Sequence, residues 1–218
     1  MDIFVIGAGG HAKVAVDIIE KQAIHRIIGF VDENKERGSR VYGYPVLGGL
    51  GVFYEEKFAA VNAGIVAVGD NWDRKQLVDK VLQFRPKFVF INALHPSTII
   101  ARGVEIGQGT VSMAGSIMNS DAHIGNHCII NTNCSVGHDV WLGDYVTIGP
   151  GAVIGGETHI GDHAAVSLGA NVIHNIRIGE HAIVGAGAVV VNHIDGGVVV
   201  CGVPAKVMRK RAIGEKYL

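Results

Sequence analysis

The chain has 218 residues, enough for one domain or two, and a formal net charge of −1. That charge is unevenly placed: residues 1–93 carry 12 Lys+Arg against 11 Asp+Glu, residues 94–195 carry 2 against 8, and the tail carries 5 against 1. No broad basic face is available to bind nucleic acid, and the longest apolar run, Ala182 to Val191, is far short of the roughly 20 residues of a membrane span.

Taken in order, Asp2 to Ile6 reads as a short apolar strand, followed by Gly7-Ala8-Gly9-Gly10-His11-Ala12 and a helical pattern to about Gln22. Gly7, Gly9 and Ala12 fit a G-x-G-x-x-A turn, in which the backbone approaches a phosphate at a helix N-terminus. An acid at position 2 and the direct entry into a strand are not those of a signal peptide. A second strand, Arg26 to Val31, ends in Asp32-Glu33, where a Rossmann unit places its ribose-binding acid. A later strand, Gly64 to Val68, ends at Gly69-Asp70, and a helix from Asn71 to Phe84 and a strand from Lys87 to Asn92 follow. This alternation implies a small parallel sheet covered by helices, its ligand at the carboxyl ends of the strands near Gly9, Asp32 and Gly69. A half-sized domain of this kind has no room for both mononucleotide halves of an NAD site. His11, a titratable side chain on the first helical turn, sits where a diphosphate or sugar would be met.

From Leu94 to Asp195 the chain scans as 17 consecutive hexads. The first position is Leu, Ile, Val or Met in 16 of them, Ser112 being the exception; the second is Gly in 9, and the fifth is small or β-branched throughout. A period of six suits neither helix nor alternating strand, but it suits a solenoid in which each hexad is one side of a coil. The phase puts Cys128 and Cys134 inside, and three cysteines in all suggest no disulfide framework, so a reducing cytoplasm is the simplest home. Histidines at the third or fourth position point out from corners. His127, His163, His174, His181 and His193, with His123 and His159 at hexad ends, are therefore expected to face solvent or another subunit. Residues 18 apart share a corner, which places His138 with Gly156 and lines up Pro150, Leu168 and Ala186. Beyond residue 195, Pro204 reads as the first residue of a short basic C-terminal helix carrying Lys206, Arg209, Lys210 and Arg211.

The hexads resemble those of the hexapeptide-repeat acyltransferases, whose left-handed parallel β-helix takes three hexads per coil. Joined to the Gly7–Val14 glycine turn, the acidic pair Asp32-Glu33 and the Gly202-Val203-Pro204-Ala205-Lys206 segment, they resemble the NeuD/PglD family of sugar acetyltransferases across nearly the whole chain. The resemblance implies a Rossmann-like α/β domain over 1–93, a β-helix over 94–195 and a cap over 196–218. It further implies transfer of acetyl from acetyl-CoA, with no metal, to the amino group of a nucleotide-linked sugar such as a 4-amino-4,6-dideoxy sugar, in a homotrimer. By the same resemblance Gly9, Gly10, His11, Asp32, Glu33 and Gly69 hold the nucleotide-sugar. His138 is the base, Asp139 supports it and Asn131 contacts the sugar. Thr147, Gly156, Leu168 and Ala186 meet acetyl-CoA, with Lys206 near its phosphates; Thr147 stands where some members have a histidine. O-acetylation of a sialic acid, a γ-type carbonic anhydrase and a non-catalytic nucleotide-sugar sensor are the competing readings.

Overall fold

In the computed structural model, which describes residues 1–216, the N-terminal part is a six-stranded sheet. Its elements are β1 (Asp2–Ile6), α1 (Gly10–Gln22), β2 (Arg26–Val31), β3 (Arg40–Val41), β4 (Tyr44–Gly48), β5 (Ala63–Val66), α2 (Asn71–Phe84) and β6 (Val89–Phe90). The strand order is β3-β4-β2-β1-β5-β6, parallel except for the β3–β4 hairpin. Ile3 to Ile6 of β1 are completely buried, as a central parallel strand covered on both faces must be. α2 is capped by Asp70, whose Oδ1 accepts from Trp72 N and Asp73 N at 3.0 Å each. α1 begins at Gly9 with no side-chain cap, so its first N–H groups stay available to a ligand.

The rest is a left-handed parallel β-helix. Each side of a coil contributes a two-residue strand formed by the sixth position of one hexad and the first of the next, and each pairs with the strand 18 residues on. Ile129–Ile130, for instance, pairs with Thr147–Ile148, which pairs with Ala165–Val166. The first-position side chain goes in and the sixth goes out, so Ile130, Ile148, Val166 and Val184 form one wholly buried column. Cys128 and Cys134 lie in the same interior, where burial pushes both thiols up to about 12 and removes them as nucleophiles. The Ser112 exception is also buried, its hydroxyl 2.7 Å from that of Ser116. Corners turn at the fourth position through left-handed backbone; His127, Asp139, Tyr145 and His163 have φ between 54° and 59°.

Two expectations need correction. Among the described residues the tail carries no helix: Val198–Cys201 joins the sheet beside Ile183–Val184, and Lys206–Lys210 returns antiparallel to it as a strand. The last coil offers an open row of N–H and C=O groups, and pairing them satisfies more backbone than a free helix would. The corner bearing His127, Tyr145, His163 and His181 is also covered by the sheet domain, completely at His127 and in part at Tyr145, His163 and His181. These rings stack at centroid separations of 5.2, 5.0 and 4.7 Å, with Phe90 edge-on at one end and Trp72 against the other. His159, His174 and His193 are exposed as expected, while His123 stacks on Trp141 at 3.7 Å.

What covers that corner is α2, through a buried arginine. Arg74 donates from Nε to His127 O at 2.8 Å, from Nη1 to Val68 O and Gly69 O at 3.0 and 2.8 Å, and from Nη2 to Tyr145 O at 3.0 Å. Asn71 adds two bonds from Nδ2 to His163 O and Ala164 O, each 3.1 Å. The sheet domain is thus bolted to the solenoid by a guanidinium and an amide reading its corner carbonyls.

Candidate active site

The glycine turn divides its labour. Gly7 has φ +96°, and a Cβ there would lie 3.0 Å from Val68 Cγ2, so the turn itself requires glycine. Gly9 and Gly10 would place a Cβ in open space, leaving backbone accessible at the start of α1. Asp32 holds the turn: Oδ2 accepts Ala8 N–H at 2.7 Å and Oδ1 accepts Asn34 N–H at 2.8 Å. Glu33 gives Oε1 to Leu50 N–H at 2.9 Å. Both acids line a cavity of about 420 Å³ at the carboxyl ends of the strands.

A second cavity, about 250 Å³, opens where the glycine turn meets the solenoid. His11 and Gly69 face it from one side, and Asn131, Thr147, Pro150 and Leu168 from the other. His11 Nε2 is buried there with no hydrogen-bond partner among the described residues. Burial first, and the nearby Arg74 charge second, pull the imidazole down to about 4, so it is neutral near pH 7 and offers one donor and one acceptor. Asn131 donates from Nδ2 to Ile148 O at 3.0 Å, which fixes the amide and leaves its oxygen to the cavity. Thr147 donates its hydroxyl to Asn71 Oδ1 at 2.6 Å, so that side chain belongs first to the clamp. Pro150, Leu168 and Ala186 run along this corner as an exposed apolar column, and Leu168 is 60% exposed. Lys206, on the tail strand, is exposed as well.

The third group lies one corner further round the coil. His138 Nδ1 is 2.7 Å from Asp139 Oδ2, and 62% of its side chain is exposed. With the carboxylate ionised, Nδ1 carries the proton and Nε2 keeps its lone pair. Gly156 is packed against that ring: a Cβ there would lie 2.6 Å from His138 Nε2. Among the described residues the Gly156 N–H has no acceptor. An unhindered imidazole nitrogen beside a free N–H can take a proton and steady a developing oxyanion. The pairing of His138 with Gly156 follows the 18-residue phase, but Asn131 and His138, seven places apart in sequence, are on different corners of one chain.

Arg74 and Asn71 escaped the reading of the sequence. One signal was there: Asn71, Arg74, Val78 and Val81 share the buried face of α2, and a charged residue in that phase needs an explanation.

Comparison with known proteins agrees with both halves. Residues 2–81 match the PglD N-terminal domain, and residues 121–156 match the bacterial transferase hexapeptide (six repeats). A UDP-N-acetylbacillosamine N-acetyltransferase of Bacillus subtilis (strain 168) is 36% identical over 116 residues, 52% of this chain and 51% of that protein. An uncharacterized protein of Acanthamoeba polyphaga mimivirus is 30% identical over 24% of its own length, so the chain spans about half of the first of these curated relatives and about a quarter of the second. Among solved structures, a histidine-to-asparagine mutant of perosamine N-acetyltransferase from Caulobacter crescentus, in complex with CoA and GDP-perosamine, superposes with a TM-score of 0.90. It is 35% identical over 96% of this chain and 98% of that one. The acetyltransferase domain of PglB from Neisseria gonorrhoeae FA1090, in complex with acetyl coenzyme A, gives 0.87 and 33%, over 95% and 98%.

Proposed function

The chain belongs to the NeuD/PglD-like family of sugar acetyltransferases, and on that premise we propose that it transfers acetyl from acetyl-CoA to the amino group of a nucleotide-linked amino sugar. The observation that carries this reading is the free Nε2 of His138, fixed through Nδ1 by Asp139 and kept open by Gly156. In a ternary complex the sugar amine attacks the thioester carbonyl while His138 Nε2 accepts its proton, and the resulting imidazolium is stabilised by Asp139. The Gly156 N–H meets the tetrahedral oxyanion. When that intermediate collapses, the C–S bond breaks and the CoA thiolate takes the proton from His138. No acyl-enzyme is needed, in keeping with the buried, protonated state of Cys128 and Cys134.

The pantetheine arm fits the Pro150, Leu168 and Ala186 column, with Lys206 toward the CoA phosphates. Gly9, Gly10 and His11 face the sugar diphosphate, and Asn131 and Gly69 face the sugar. In a single chain this cavity and His138 lie on different corners, which supports a homotrimer in which a neighbouring copy brings His138 to the cavity; a solution mass of about three times 23.0 kDa is expected. Among the described residues no helix is long and apolar enough to cross a membrane, and a cytoplasmic setting suits a CoA-dependent enzyme. The direct test incubates the protein with acetyl-CoA and UDP-, GDP- and dTDP-linked 4-amino sugars and follows thiol release. Release with one of them is expected; release with none, or only with hydroxyl acceptors, overturns the proposal.

A further inference from the structure

The end of the solenoid built from the tail does not have the surface of an ordinary cap. A terminal repeat turns a polar face to water, because nothing stacks beyond it. Here the whole Lys206–Lys210 strand is exposed and its middle is apolar: Val207 is 60% exposed and Met208 67%, and Ile213, further along the tail, is 69% exposed. The same strand carries Lys206, Arg209 and Lys210. Among the described residues neither lysine has an ion pair, while Arg209 meets Glu215, the one acid of the tail, at 2.6 Å. Apolar side chains are exposed elsewhere, as at Ile99 and Ile100, but those belong to a solenoid with 2 bases against 8 acids. In the tail they coincide with 5 bases against 1 acid. The acids of the last coil point elsewhere: Asp195 lines a cavity on the Trp141 face, and Glu180 precedes His181 at the covered corner.

We infer that this ridge docks the protein on a bilayer containing anionic lipid, with Val207, Met208 and Ile213 entering the headgroup region and Arg209 and Lys210 meeting lipid phosphates. Long basic side chains carry their charge outward past an apolar patch, which is the arrangement that a membrane boundary rewards on both counts. The strand lines none of the cavities described above, so it suits a flat, fluid surface better than a shaped pocket. Nor is it dressed to pair with the same strand of another copy. It has a lysine at each end, and its pairing with Val198–Cys201 skips Met208 in a bulge; both devices discourage edge-to-edge association. The ridge is also held firmly, since Arg211 donates from Nη1 to His181 O at 3.0 Å and Lys216 pairs with Asp73 of α2 at 2.9 Å. One strand of this size binds weakly. A closed threefold assembly sets its three equivalent strands in one plane, so that they meet the surface together.

The test is sedimentation of the intact protein, without substrates, with vesicles of phosphatidylcholine alone or of phosphatidylcholine with one third phosphatidylglycerol. At low salt, binding to the anionic vesicles is expected to exceed binding to the neutral ones by about fivefold or more. The preference should shrink as added salt screens the charges. Lys210→Glu and Met208→Asp should each lower binding to the anionic vesicles about tenfold, the first by reversing a charge and the second by wetting the apolar patch. Acetyl-CoA affinity and melting temperature should hold in both variants, which guards against misfolding. Equal binding to the two kinds of vesicle, or a preference that survives both substitutions, overturns the inference. So does a solution mass that halves on Met208→Asp without lipid present, because the ridge is then a contact between copies. No substrate enters this experiment, so a failure to bind vesicles leaves acetyl transfer standing, and an absence of thiol release leaves the vesicle result standing.

Discussion

His127 occupies the fourth place of its hexad and His138 the third place of the hexad two further on, and the repeat turns both away from the solenoid interior. Their surroundings are nevertheless opposite. His127 is 3% exposed, stacked on Tyr145 with Phe90 edge-on, and its ring is pulled down to about 4 by burial first and then by Arg74. His138 is mostly exposed, held by one bond to Asp139, with Gly156 packed behind its Nε2. The solenoid supplies direction alone; what a corner becomes depends on whether another element covers it. α2 covers one corner and makes it structural, while the other remains open to solvent.

The sharpest way to break this contrast is to exchange the residues' expected sensitivities. His138→Ala should lower kcat by about 10²–10⁴ with little change in the KM for acetyl-CoA. Its melting temperature should stay within a degree or two of the parent, because an exposed corner side chain holds nothing up. Normal turnover would remove the mechanism. Arg74→Met should behave in the reverse sense. Losing a guanidinium that serves carbonyls on α2's approach and on the solenoid corner should cost about 3 kcal/mol in thermal or denaturant unfolding. An unchanged unfolding midpoint would show that the clamp is incidental.

Gly156→Ala probes the open corner more gently. The added methyl would crowd His138 Nε2, so the ring must swing aside, and kcat should fall about tenfold while stability is kept. The covered corner has its own signature in pH. His127 is neutral in the folded protein down to about pH 4 but protonates near 6.5 when unfolded. Between those values only the unfolded state binds the proton, so this contribution is present above pH 6.5 and is lost as pH falls toward 4. Melting temperature should drop through that window, and His127→Phe, which keeps a stacking ring without the titration, should make the drop shallower.

How legible all this was depends on how far apart the partners are in the chain. The solenoid interior could be read because its rule is local and repeats: Ile130, Ile148 and Val166 are buried for the same reason, and that phase also joins His138 to Gly156. Proximity in sequence misled where corners intervene, as with Asn131 and His138. The clamp was invisible for a further reason. Arg74 reaches His127 and Tyr145, more than fifty residues away, and no periodicity encodes which corner the sheet domain will cover. The tail strand Lys206–Lys210 was misread because its conformation is dictated by pairing with Val198–Cys201 and not by its own composition.

That tail also gives the smallest expected effect. Lys206 is exposed, makes no ion pair among the described residues, and belongs to a segment with five basic residues against one acid. A single exposed charge acting on a phosphate through water is worth a fraction of a kcal/mol to about 1 kcal/mol. Lys206→Ala should accordingly raise the KM for acetyl-CoA about two- to fivefold and leave kcat unchanged. Raising the salt concentration should erase most of the difference, because the Debye length contracts to about 3 Å at 1 M. A melting temperature lowered by several degrees would instead make Lys206 part of the cap, and would move the tail from the open side of the comparison to the covered one.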